Sequence, residues 1–117
     1  METPLFTNYP VIPLQNAVLF PGVTIPIGIS RPQSIATLHA AKENWVAIVA
    51  QKQIVEGREI GPDDLYRIGT IGKVERKVGN DKTGYQLLVR GISRIFLHSL
   101  HAQAGHLEAE GWTRNDV

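Results

Sequence analysis

Three histidines near one another, His98, His101 and His106, are the first residues of this 117-residue chain that could do chemistry. Clustered imidazoles can hold a transition metal or pass protons. Their spacing argues against a metal. On a strand, side chains three apart face opposite sides, so His98 and His101 do not converge, and only Glu108 could complete a ligand set. Solvated surface imidazoles are the expectation, and His39, beside Leu38, reads as a helix-face residue rather than a base.

The segment "GNDKTG" (Gly79 to Gly84) begins like a phosphate loop, but Tyr85-Gln86 follow where lysine and a hydroxyl residue would hold phosphate and metal. It reads as a hairpin turn. "GTIGKV" is embedded in a strand pattern and fails likewise. Ser30, Ser34, Ser93 and Ser99 lack a nucleophile elbow or any comparable setting. Asp63 and Asp64 are adjacent in a loop, where such pairs cap turns. Arg67, Lys73, Arg76 and Lys77 could touch phosphate, but Glu75 dilutes them and no aromatic residue is expected on that face for base stacking. No catalytic, cofactor-binding or metal-binding residue is assigned, and nucleic acid is not the expected partner.

Composition agrees. The chain is 43% hydrophobic and 20% charged, with a net charge of +1, which is globular and gives no electrostatic case for polyanions. Its length fits one domain, residues 1–117. The absence of cysteine excludes disulfides and thiolate metal sites and favours a reducing, cytoplasmic setting. A secretory leader needs a basic start, yet residues 1–10 hold Glu2 and no lysine or arginine. Pro10, Pro13, Pro21 and Pro26 interrupt every window long enough to span a bilayer, so no membrane association is expected.

The elements that would position any site are mostly strands. Val11, Ile12 and Leu14, then Val23, Ile25, Ile27 and Ile29, predict strands over about residues 9–14 and 23–29. Val18, Leu19 and Phe20 lie in a packed apolar connection between them, bent at Asn16 and at Pro21-Gly22. "SRPQSIATLHAAKEN" predicts one helix, with Ser30 and Gln33 as a capping box, Pro32 in the first turn, Ile35, Leu38 and Ala41 on the buried face, and Asn44 as the stop. "WVAIVAQK" reads as a central strand buried on both faces, and "IVEGREIGPDD" as an exposed loop. From Tyr66 the pattern alternates, with Tyr66, Ile68, Val74 and Val78 expected on one face and Arg67, Lys73, Glu75 and Lys77 on the other. Tyr85, Leu87 and Val89 begin the return strand, Gly91 predicts a bulge or bend before Ile95 and Leu97, and a last strand includes Leu107 and Ala109. The expected fold is mainly β: a small six-stranded pseudo-barrel or β-roll carrying one packed α-helix.

Four ordered segments then carry a family resemblance: "PVIPLQNAVLFPGVTIPIGISRPQSI", "VAIVAQK", "DLYRIGTIGKV" and "LLVRGISRIFL". In order and spacing, over about residues 9 to 97, they resemble the N-terminal domain of the Lon ATP-dependent proteases. Asp64-Leu65-Tyr66 and Ile68-Gly69-Thr70 match its D-L-[YF]-x-[VI]-G-T pattern, and Val89 to Arg94 its V-x-G-x-x-R signature. Gln15, Pro32, Gln33 and Arg90 depart from the charges usual there.

The resemblance implies a β pseudo-barrel with one helix that engages unfolded, damaged or tagged protein substrates and helps a homo-oligomer assemble. The ATPase and Ser–Lys protease modules of a full Lon chain are not among these residues, so this polypeptide is expected to be no enzyme and to need no cofactor, whether as an excised domain or a stand-alone protein. Recognition of unfolded chains calls for an exposed apolar patch. Leu19, Phe20 and Pro21, with Arg31, Pro32 and Gln33 at the helix start, are the candidates, against the alternative that Leu19 and Phe20 are core. Strand addition at a sheet edge is a second route. The other readings are a stand-alone barrel binding a small ligand or RNA, or a self-association scaffold. The isolated domain is expected to be a monomer or weak dimer, with avidity supplied by copies on an oligomer.

Overall fold

A computed structural model describes residues 8–15 and 17–114; Asn16, expected at a bend, lies outside them. Among the described residues there are six strands, β1 (Asn8–Leu14), β2 (Thr24–Ile29), β3 (Trp45–Gln51), β4 (Leu65–Asn80), β5 (Gly84–Gln103) and β6 (His106–Arg114), one helix, α1 (Pro32–Ala40), and a 3-10 turn (Pro62–Asp64). They form one sheet in the order β2-β5-β4-β3-β1-β6, and β5 also pairs with β6. The hydrogen bonds therefore run in a ring through β5, β4, β3, β1 and β6, while β2 hangs on the first half of β5. The expected mainly β fold with one packed helix is what forms. Only β1 and β3 are parallel, and their connection contains β2 and α1.

β1 carries Pro10 and Pro13 although it lies between two strands. Its pairing with β6 covers Asn8 to Val11 and its pairing with β3 covers Val11 to Leu14, so the two ladders overlap only at Val11. Each proline thus borders a single partner, and its missing N–H removes no bond on an unpaired side.

β1 and β3 are buried on both faces. Val11, Ala47 and Val49 join a cluster with Leu65, Ile71, Ile95 and Leu107. Ile12, Val46 and Ile48 turn to a second cluster with Ile27, Ile35, Leu38, Val74 and Val89. Helix α1 closes that second core, and its Thr37 hydroxyl donates to the Val11 carbonyl at 2.6 Å.

Four expectations need correction. The Ser30–Gln33 capping box does not form: Arg31 is the N-cap residue, without a side-chain cap, and the helix ends at Ala40 rather than at Asn44. Gln33 is buried instead, donating to the Ile60 carbonyl at 2.7 Å and accepting from the Ile60 N–H at 2.9 Å, a two-way closure that capping would forgo. The segment after β3 is not simply an exposed loop, since Val55, Ile60 and Asp64 are buried. On β4, Tyr66 and Ile68 share the face of Val74 but nothing covers them fully, and the irregularity between Val74 and Arg76 turns Val78 to solvent. His106 is buried against Glu108 at 2.6 Å and is not a solvated imidazole.

Asp64 organises the loop before β4. It accepts from Arg58 at 2.7 and 2.9 Å, from the Gly61 N–H at 2.8 Å and from Gln53 at 3.1 Å. These donors, Arg58 foremost, hold its carboxyl well below the usual carboxylate range. A depressed folded-state pKa stabilises the fold above the unfolded value of about 4, and the contribution is lost as pH falls below it. Among the described residues, no helix is long and apolar enough to cross a membrane.

Two outcomes are expected. Asp64→Asn lowers stability at neutral pH and flattens the loss of stability below about pH 4, measured by urea unfolding across pH. Gly91→Ala costs about 1–3 kcal/mol, because an added Cβ would clash with the Phe20 carbonyl oxygen; unchanged unfolding midpoints would refute either statement.

Candidate functional site

The β1–β2 connection crosses the outer face of the sheet, and backbone bonds hold it there. Pro21 and Gly22 occupy the centre of a turn closed by the Val23 N–H on the Phe20 carbonyl at 3.1 Å, with Gly22 at φ 85°, as a type II turn requires. The Gly22 N–H donates to the Gly91 carbonyl, and the Gly91 N–H to the Val23 carbonyl, both at 2.8 Å. The Thr70 hydroxyl donates to the Leu19 carbonyl at 2.7 Å. The bend expected at Gly91 is a site of close approach, with the ladder shifting register beside it between Ile71 and Gly72 of β4.

The connection covers only part of that face. Between it and the sheet lies an apolar cleft of about 370 Å³, walled by Leu14, Val18, Leu19, Ile48, Tyr66 and Ile68. Arg67 and Arg94 also line it, and no carboxylate does. The apolar surface continues outward, because the register sets Ile68 opposite Phe96 and Phe96 opposite Trp112, and opposed residues share a face. Val18 is 58% exposed, Tyr66 51%, Ile68 47% and Trp112 59%. Isolated exposed apolar side chains are ordinary, whereas a contiguous set around a concavity is the form of a docking surface. The strip ends where His98 stacks on Trp112 at 5.7 Å and pairs with Glu110 at 2.9 Å.

The six residues expected from sequence do not form one patch. Leu19 is 2% exposed and contributes to both the second core and the cleft wall, while the neighbouring Phe20 is 53% exposed. Pro21 is half-buried in the turn. Arg31 lines a separate depression beside β2 and donates to the Val55 carbonyl at 3.3 Å. Pro32 is exposed, and Gln33 is committed to Ile60. The cleft unites the connection with β4 and β5 rather than with the helix start.

Sequence reasoning missed Tyr66, Ile68, Arg94 and Trp112. The available signal was a surplus of apolar residues on one face of β4, more than a short proline-bound connection can cover. Trp112, lone among polar neighbours in "EAEGWTR", was another. His39, His98 and His106 each pair with one carboxylate, and among the described residues no group of three or more His, Cys, Asp or Glu could hold a metal ion.

Comparison with known proteins places this geometry in a family. A family model described as the ATP-dependent protease La (LON) substrate-binding domain matches residues 8–114. Lon protease 1 of Bdellovibrio bacteriovorus is 37% identical over 103 residues, which is 86% of this chain and 13% of that protein. Lon protease of Nitrosococcus oceani is 39% identical over 90 residues, 74% of this chain and 11% of its own length. The chain thus spans a small part of the relatives it matches. Two solved structures share the fold. The N-terminal domain of Mycobacterium avium complex Lon protease has a TM-score of 0.68 at 19% identity, over 94% of this chain and 56% of the other. A Lon N-terminal domain protein from Xanthomonas campestris has a TM-score of 0.68 at 21% identity, over 94% and 61%.

The contrast between two neighbours in the connection is testable by chemical denaturation. Leu19→Ala is expected to cost about 2–4 kcal/mol, and Phe20→Ser to stay within about 0.5 kcal/mol of the parent. Equal costs would mean that the connection does not lie as described.

Proposed function

The chain belongs to the family of Lon substrate-binding domains, and from that premise we propose that it captures exposed apolar segments of unfolded or damaged proteins for an ATP-dependent protease of the Lon type. Its role is binding and delivery, without catalysis; ATP hydrolysis and peptide cleavage fall to other modules of such a protease. The observation that carries this reading is the open apolar cleft continuing onto Phe96 and Trp112. Folded proteins bury the side chains that would fill it, and unfolded ones present them.

Burying one large aliphatic or aromatic side chain is worth about 1.5–3 kcal/mol, and association costs offset much of that. A single cleft therefore binds weakly, which suits a domain repeated on a homo-oligomer, where linked copies raise avidity without new contacts. Weak capture also lets a segment pass onward. The copies need not contact one another through this domain, so a monomer or weak dimer of the chain by itself is consistent with the role.

Fluorescence anisotropy with a labelled, unstructured peptide carrying Leu and Phe tests the proposal. Ile68→Ser and Val18→Ser are each expected to weaken binding about tenfold, the equivalent of one lost apolar contact. If both variants fold, by circular dichroism, and bind as the parent does, the cleft is not where segments dock.

A further inference from the structure

We propose, resting on the docking role of the cleft, that it selects apolar segments bearing an aspartate or glutamate beside the apolar side chains, with Arg94 as the specificity-determining residue. This arginine lacks a partner among the described residues of the fold. Two other arginines are neutralised within the fold, Arg58 by Asp64 at 2.7 Å and Arg90 by Glu75 at 3.1 Å. Arg94 is half-buried in the cleft wall, yet among the described residues it makes no hydrogen bond or ion pair.

The register explains why no internal carboxylate reaches it. Arg94 stands opposite Thr70 on β4 and opposite Arg114 on β6. Thr70 is itself opposite Ile48 on β3, and its hydroxyl is taken by the Leu19 carbonyl. The second charged residue lining the cleft, Arg67, is also a cation. Every formal charge on the cleft wall is therefore positive, in a chain whose net charge is only +1.

A guanidinium partly withdrawn from water beside apolar walls favours a carboxylate that can accept its paired N–H donors. The walls supply the complementary apolar contact, so the occupant of best fit is amphipathic: an aliphatic or aromatic side chain with a carboxylate close by. An unfolded segment carries many acidic side chains and a single C-terminus, which commits the occupant to an internal Asp or Glu.

The test compares labelled peptides with one Leu-Phe-Leu core flanked by Asp, by Asn or by Lys, all amidated at the C-terminus, and an Asn-flanked peptide with a free C-terminal carboxylate. The Asp-flanked peptide is expected to bind about fivefold tighter than the Asn-flanked one. That ratio should fall to about one in Arg94→Gln and in the parent at about 0.5 M salt, persist in Arg94→Lys at reduced size, and invert toward the Lys-flanked peptide in Arg94→Glu. A ratio near one in the parent, with binding still lost in Ile68→Ser, overturns charge selection and leaves apolar docking standing. Preference for the free C-terminal carboxylate alone overturns the internal acidic occupant. No binding of any peptide, or binding indifferent to Ile68→Ser, overturns both readings.

Discussion

Two backbone hydrogen bonds, from Gly22 to Gly91 and from Gly91 to Val23, are the constraint on which the cleft face depends. They lay the β1–β2 connection against β5 at a residue with no side chain, where a Cβ would strike the Phe20 carbonyl. With the connection fixed at that height, Leu19 reaches down to the second core and Thr70 satisfies its carbonyl. Buried backbone carbonyls need such partners, so the path of this apolar but proline-bound connection is dictated by polar satisfaction as much as by burial.

What the connection leaves uncovered follows from its length. One face of β4 carries Tyr66, Ile68, Thr70, Gly72 and Val74 in succession. Thr70 to Val74 are buried, whereas Tyr66 and Ile68 remain open to water. The cleft is the boundary between the two halves. It is a by-product of a sheet face longer than its cover, and Phe96 and Trp112 extend the open half across two further strands.

Much of the fold was legible because its signals are local. The runs in β1, β2 and β3, the alternation in β5 and the proline-started helix each follow from side-chain period and backbone restriction. The capping box misled because Ser30 and Gln33 have the right spacing, while the decisive partner of Gln33, the Ile60 backbone, is 27 residues away. Tyr66 and Ile68 misled for a related reason. Alternation shows which residues share a face, and it carries no information on how far along the strand that face is covered. Leu19 and Phe20 differ in fate although adjacent and equally apolar, because only the turn geometry decides which one points inward.

The proposed role could use side-chain capture or strand addition, and the topology favours the first. The ring of pairings removes most strand edges. The outer edge of β2 remains, but Pro26 deprives it of a donor in the middle of its six residues. The end of β4 beyond the reach of β3 is also unpaired on one side, and it carries Arg76 and Lys77 in a charged stretch of the kind that discourages strand pairing. The proposed capture of apolar segments would gain from this arrangement. It offers apolar side-chain contacts that a guest can leave, while withholding the backbone edge on which a guest could extend the sheet.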